Sequence, residues 1–351
     1  MSADPVLGEG YTARRIELGS DSEGPVIATL IHREPGTGDA EPPTGRQVAP
    51  VLVLHGWSDY VFDRGLLEHL GGLGHDVWGL DLRKHGRSLL DGQTPTAIDH
   101  LSRYDEEIGA ALRIIGRDRP PVLLAHSTGG LIAALWAQRH PGTLRALALN
   151  SPWLESHLGS APRLLLAPVV QAAAQRLQNK PILPPGTSHF ARTVHTRYGG
   201  PFDYDLALKP ERGHRFPAST LAAVLDGQAR LAAAGPLAIP VLVLHAARSA
   251  IGVRFREDMR RADTVLDVRS IAAAARRLGP DVRIEAIDGA RHDVFLSEDD
   301  ARARALEVLD DWLETVAGRP PTMKAPDGAD PRSSPGTGSG GKEKPDELGP
   351  A

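Results

Sequence analysis

The 351-residue chain contains no cysteine. That excludes disulfides, thiolate metal sites and a cysteine nucleophile, and it suits a reducing cytoplasm. No apolar run reaches membrane-spanning length. The first thirty residues hold several acids and no apolar segment, so neither an integral membrane span nor a signal peptide is expected. The basic residues are mostly arginine and are spread along a chain of formal net charge −4, which leaves no electrostatic footprint for nucleic acid. There is no His-Glu-x-x-His pattern, and the glycines of "GGLGHDVWG" precede a strand instead of following one. No metal and no cofactor is therefore expected. Internal repeats are also absent, and nothing in the sequence sets the oligomeric state.

What is present is a soluble, globular composition, 41 % hydrophobic, in a chain long enough for one large domain with an insertion, or for two domains. Gly318–Ala351 is rich in Pro, Gly, Ser and charge and is expected to be a disordered tail. Arg33–Gln47 reads as a long surface loop. Between these segments, strand, turn and helix alternate. Strands are expected in Pro25–Arg33, Ala49–Gly56, at the start of His75–Ser88, in Pro120–Ser127, Leu144–Ser151, Pro240–Ala246 and Val282–Gly289. Helices follow in "FDRGLLEHLGGLG", "LSRYDEEIGAALRIIG" and "LIAALWAQRH", and a last one near Asp300–Ala317 opens with the capping pattern Ser297-x-x-Asp300. Near-continuous apolar strands alternating with helices predict a mostly parallel sheet covered on both faces, an α/β fold.

In such sheets ligands bind beyond the carboxyl ends of the strands. The polar residues expected there are His55-Gly56-Trp57, Asp81, Ser127, Asn150-Ser151 and His292. Ser127 sits between an apolar strand and an apolar helix, with Ala125 two places before it and Gly129 two places after. A serine hydroxyl is a weak nucleophile unless it is exposed and held beside a base. A sharp strand-to-helix turn exposes it, and needs small neighbours to fit. The N–H of Thr128 would then point from a helix N-terminus at a developing oxyanion. Taken alone, the pattern is equally met by a serine that caps a helix.

The segments "VLVLHGWSDY", "DLRKHGRS", "LLAHSTGGLIA", "ADTVLD" and "GARHDVFLS" resemble the α/β-hydrolase superfamily. The branch they resemble contains monoacylglycerol lipases, lysophospholipases and serine aminopeptidases S33. The resemblance runs from about Tyr11 to Ala317. It implies an α/β-hydrolase fold with an inserted helical cap, with Ser127 as nucleophile, His292 as general base and the backbone N–H of Trp57 as the second oxyanion donor beside that of Thr128. Asp81, Arg83 and Ser88 take structural roles, His55 orders its turn, and His126 is expected to point away from Ser127. The implied division is a hydrolase core in residues 1–153 and 237–317, a cap in 154–236 and the tail in 318–351.

Two features depart from the pattern. Ala125 stands where glycine is usual. The acid also lies farther than usual from its strand: after "VLVLHA" no carboxylate occurs before Glu257. The "ADTVLD" match favours Asp263, with Asp267 and Asp258 as the alternatives, while Asp293 cannot easily reach back to its neighbour's ring. Within the cap, Leu166, Val169, Val170, Ala173 and Leu177 repeat at helical spacing, Pro168 suits a first turn, and Pro181–Pro210 reads as loop. The resemblance implies a serine esterase acting on small-molecule or lipid esters, with transient contact of the cap on a lipid surface. A binding protein that has lost turnover, and a peptidase of the same fold, are the alternatives.

Overall fold

The computed structural model describes residues 2–36, 48–116, 118–155 and 160–317, with only the backbone of 160–167. The expected disordered tail and most of the expected surface loop lie outside the described residues.

Nine strands form one sheet. In chain order they are β1 (Ser2–Asp4), β2 (Gly8–Asp21), β3 (Gly24–Arg33), β4 (Val51–Leu54), β5 (Val77–Asp81), β6 (Val122–His126), β7 (Ala146–Asn150), β8 (Val241–Ala246) and β9 (Val282–Ile287). Their spatial order is β1-β2-β3-β5-β4-β6-β7-β8-β9. From β5 to β9 all pairs are parallel, and β1–β3 add an antiparallel edge. The sequence reading missed β1 and β2. Only Tyr11 and Ile16 of β2 are buried, and the strand includes no continuous apolar run.

The parallel strands are apolar because both faces are covered. Side chains alternate between two cores. Leu123 and Ala125 of β6 join one, with α2 (Asp105–Ile115), α3 (Thr128–Arg139) and α6 (Ala218–Ala233). Val122 and Leu124 join the other, with α1 (Arg64–Gly72) and α8 (Asp299–Ala317). Fully burying one such aliphatic side chain is worth about 1.5–3 kcal/mol, so packing on both faces holds the sheet firmly. In-register pairing brings Leu54, Ala125 and Leu149 level, so the carboxyl ends of β4, β6 and β7 form one ledge.

Between β7 and β8 lie α4 (Ser160–Leu177), α5 (His189–Val194) and α6. This region differs from the sequence reading in three ways. The helix begins at Ser160, so Pro168 sits inside it, where its missing N–H removes one helical bond. Of the apolar stripe's described side chains none is fully buried, and Val169 is 66 % exposed. The Pro181–Pro210 stretch, expected as loop, contains α5. α6 packs on α3 and contributes Ala223, Val224 and Leu231 to the core. α7 (Val268–Ala275) follows β8. No helix among the described residues is long and apolar enough to cross a membrane.

Candidate active site

Ser127 occupies the single position between β6 and α3, with φ 51° and ψ −116°. A side chain rarely adopts this conformation, and the surroundings enforce it. The Ser127 N–H donates to the Asn150 carbonyl at 2.9 Å, and the Trp153 N–H donates to the Ser127 carbonyl at 2.9 Å. A Cβ on Gly129 would run into the His55 carbonyl oxygen, and one on Gly56 would lie 3.0 Å from Ser127 Cβ. The two turns therefore touch through their glycines, which brings residue 57 to the serine. Among the described residues, neither the Trp57 N–H nor the Thr128 N–H makes a backbone hydrogen bond.

His292 follows β9 and is buried. Its Nε2 accepts from the Ser127 hydroxyl at 3.0 Å, and with the ring proton on Nδ1 that atom donates to Asp263 Oδ2 at 2.9 Å. Asp263 is fully buried, and its other oxygen accepts the Val265 and Leu266 N–H groups, each at 2.7 Å. Burial alone would raise this carboxyl's pKa. The facing His292 and the hydrogen bonds from His292, Leu266 and Val265 outweigh it and hold the pKa below the usual aspartate value.

Of the other candidate acids, Asp267 caps α7 through the Arg269 N–H, and Asp258 is exposed and pairs with Arg248 and Arg256. Asp293 turns away from the ring beside it and accepts from Asn150 Nδ2 and the Phe295 N–H. The long run before Asp263 closes on itself. Asp263 bridges to Ser249 just beyond β8, with the Ala250 N–H donating to the Asp263 carbonyl at 2.7 Å.

The supporting residues largely do what their positions imply. His55 Nε2 accepts the Leu82 N–H at 3.0 Å, and burial keeps its pKa low, so it stays neutral in that role. Asp81 accepts from the Val61 N–H and from Arg87, Arg83 is clamped by Glu107, and the Ser88 hydroxyl donates to the Asp81 carbonyl.

The His126 ring, expected to point away from Ser127, lies 4.9 Å from that of His292, with its Nδ1 3.5 Å from Asp59 Oδ2. Asn150, in register with His126, accepts the Val294 N–H and so draws the His292 loop over the end of β6. Ser297 does not cap α8: the helix begins at Asp299, the Arg302 N–H donates to the Glu298 carbonyl, and the Ser297 hydroxyl accepts the Arg291 N–H.

Several groups at the site had no signal in the sequence. Arg291, with no exposed surface, donates to the Arg260 and Leu296 carbonyls at 3.0 and 2.8 Å and pairs with Glu298. It thereby ties the segment carrying Asp263 to the loop carrying His292. Lys209 reaches Asp59 at 2.7 Å, both buried, among the rings of Phe62, Phe190 and Tyr204. Burial alone would raise the Asp59 pKa, but the Lys209 charge drives it well below the usual range. A "His-Gly-Trp" turn reveals none of this, because the partner comes from 150 residues away.

A cavity of about 330 Å³ opens over the serine. Ser127, Thr128 and His292 lie at its floor. Trp57, Trp153, Phe190, Phe216 and Leu266 make apolar walls, with Trp57 stacked on Phe216 at 4.1 Å. The Thr128 hydroxyl is buried without a hydrogen-bond partner among the described residues.

A parallel sheet with a serine on the turn after a middle strand and a histidine after its last defines the class: a hydrolase of the α/β-hydrolase fold. Solved structures share that fold. A monoacylglycerol lipase from Paleococcus ferrophilus aligns with a TM-score of 0.58 and 17 % identity over 87 % of this chain and 99 % of that one. A monoglyceride lipase from Saccharomyces cerevisiae aligns at 0.60 and 16 % over 87 % and 97 %. The family model described as serine aminopeptidase, S33, matches residues 45–300, and the chain belongs to that family. A monoacylglycerol lipase of Mycolicibacterium smegmatis is 25 % identical over 75 % of this chain and 87 % of its own length. Lysophospholipase L2 of Escherichia coli is 27 % identical over 69 % of this chain and 73 % of its own length.

Proposed function

We propose that the protein is a serine hydrolase of carboxylic esters, lipid-like ones of the monoacylglycerol or lysophospholipid type, working through an acyl-enzyme on Ser127, His292 and Asp263. The observation that carries this reading is the continuous hydrogen-bonded chain from the Ser127 hydroxyl through His292 to buried Asp263, at the floor of an apolar cavity. The names of the relatives agree with it. Residues 154–236 serve as the cap over a core formed by 1–153 and 237–317.

In this mechanism His292 Nε2 takes the hydroxyl proton as Ser127 Oγ bonds to the ester carbonyl carbon. The resulting oxyanion accepts the Trp57 and Thr128 N–H groups, each worth about 2.7–4 kcal/mol in such a role. Collapse breaks the bond to the alcohol oxygen, which leaves with the proton from His292 Nε2. Water then attacks the acyl-serine with His292 again as base, and the carboxylic acid departs. Asp263 stays ionised throughout, fixing the tautomer and stabilising the imidazolium.

An ester is favoured over a peptide by the charge pairing in the cavity wall. A peptidase that grips a substrate amine needs a free carboxylate. Asp59 is paired with Lys209 and Glu211 with Arg197. The test is a series of p-nitrophenyl esters of rising acyl length, run beside aminoacyl p-nitroanilides. Each buried methylene is worth about 0.8 kcal/mol, so kcat/KM should rise about fourfold per carbon until the cavity is full. Faster cleavage of the anilides than of every ester would reverse the reading.

A further inference from the structure

We propose that the loop after β8, with Ile251 and Val253 at its tip, docks the protein onto an anionic lipid–water interface. As the route by which a lipid ester reaches Ser127, this rests on the function proposed above; as a property of the surface, it does not.

Val253 is 92 % exposed and Ile251 55 % exposed. A single exposed aliphatic residue is ordinary, but these stand two apart on a supported tip. Beneath them Met259 is fully buried with Ala250 and Ala262, a small core of the loop's own. The ring of His189 donates from Nε2 to the Gly252 carbonyl at 3.1 Å, and the Arg192 guanidinium lies over the Phe255 ring at 4.3 Å. The loop is thus held in shape while its two aliphatics face water, a display that folding does not require.

Charge selects the partner. Residues 248–261 contain five arginines, at 248, 254, 256, 260 and 261, against Glu257 and Asp258, and with Asp300, which pairs with Arg261, the patch keeps a net +2 in a chain of net −4. Arg254 is exposed and has no ion pair among the described residues. Aliphatic residues flanked by long cationic side chains match a lipid surface: the apolar groups enter the acyl boundary while the guanidinium groups stay at the anionic headgroups.

Position links this tip to the cavity. α5, against which the loop packs, carries Phe190 and Ala191, both on the cavity wall. At the loop's other end, Val265 is 39 % exposed and also lines the cavity. A surface seated on Ile251 and Val253 would therefore lie beside an apolar rim leading to the serine.

The test uses the full chain and vesicles of phosphatidylcholine with or without phosphatidylglycerol. The protein should co-sediment with the anionic vesicles, less with the neutral ones, and be released by salt. Exchanging the tip residues, Ile251→Ser with Val253→Ser, should lower vesicle partitioning about tenfold. It should lower hydrolysis of a vesicle-borne monoacylglycerol in proportion and leave hydrolysis of soluble p-nitrophenyl butyrate unchanged. The proposal is overturned if the protein ignores anionic vesicles or if the double variant partitions like the parent. It is equally overturned if light scattering shows the tip holding two copies of the chain together with no effect on vesicles. Failure to hydrolyse the soluble ester would count against the ester-hydrolase reading, and partitioning would still decide the surface.

Discussion

The turn after β6 and the loop after β8 each deliver one member of the Ser127–His292–Asp263 chain, and they do so in opposite ways. The first uses a single residue, with Gly129 pressed against the His55 carbonyl and the backbone groups of Ser127 bonded to Asn150 at the end of β7 and to Trp153 just beyond it. The second leaves the sheet at Ala246 and returns at Asp263, held at its base by the bridge to Ser249 and by the Ser249 hydroxyl, which donates to the Leu266 carbonyl and accepts the Val268 N–H. Close packing constrains every atom of the first. The second needs only its base fixed, because closure entropy grows slowly with loop length. Its tip is then free to carry another property.

The sharpest break in the comparison comes from the residue itself. Ser127→Ala should lower kcat about 10⁴–10⁶-fold on a soluble ester with melting temperature unchanged, because only binding and oxyanion stabilisation survive. At the base of the long loop, Asp263→Asn should lower kcat about 10³–10⁴-fold, since the amide favours the wrong imidazole tautomer. Asp267→Asn should cost less than tenfold, acting only through the cap of α7. A reversed order of these two variants in steady-state kinetics would move the acid.

The glycines separate the regions by stability. Gly129→Ala should destabilise by about 1–3 kcal/mol in urea unfolding, because its Cβ meets a backbone carbonyl in a packed turn. Gly252→Ala, whose Cβ meets the flexible end of Arg256, should stay within about 0.5 kcal/mol.

The last effect concerns acid. Burial holds His85, beside the His55 turn, at about 3 against an ordinary 6.5. The unfolded chain takes up that proton first, so this contribution to stability is complete above about pH 6.5. It is lost as pH falls toward 3, at up to about 1.4 kcal/mol per pH unit. His85→Gln should flatten the stability–pH curve by that slope between pH 6 and 4.

The same contrast explains what the sequence disclosed. Ser127 was readable because its turn admits only small neighbours, and the parallel strands because both their faces are buried. Asp263 was separable from Asp258 and Asp267 only by the "ADTVLD" likeness, since a loop fixed at its base imposes no spacing. Lys209, Asp59 and Arg291 were invisible, as their partners are distant in sequence and a lone lysine or arginine carries no periodicity. The edge strands β1 and β2 were missed because one face meets water and no apolar run marks them. The helical spacing read from Leu166 to Leu177 does mark α4, but spacing alone does not say which face is covered, and Val169 faces solvent.

The central claim is that the single-residue turn presents an activated nucleophile. A fluorophosphonate probe tests it most directly, followed by mass spectrometry of the intact protein and its peptides. The expected result is one equivalent of label, located on Ser127, with the rate sharply reduced in Asp263→Asn and no labelling of Ser127→Ala. An unlabelled folded protein, or a label on any other residue, would contradict the account.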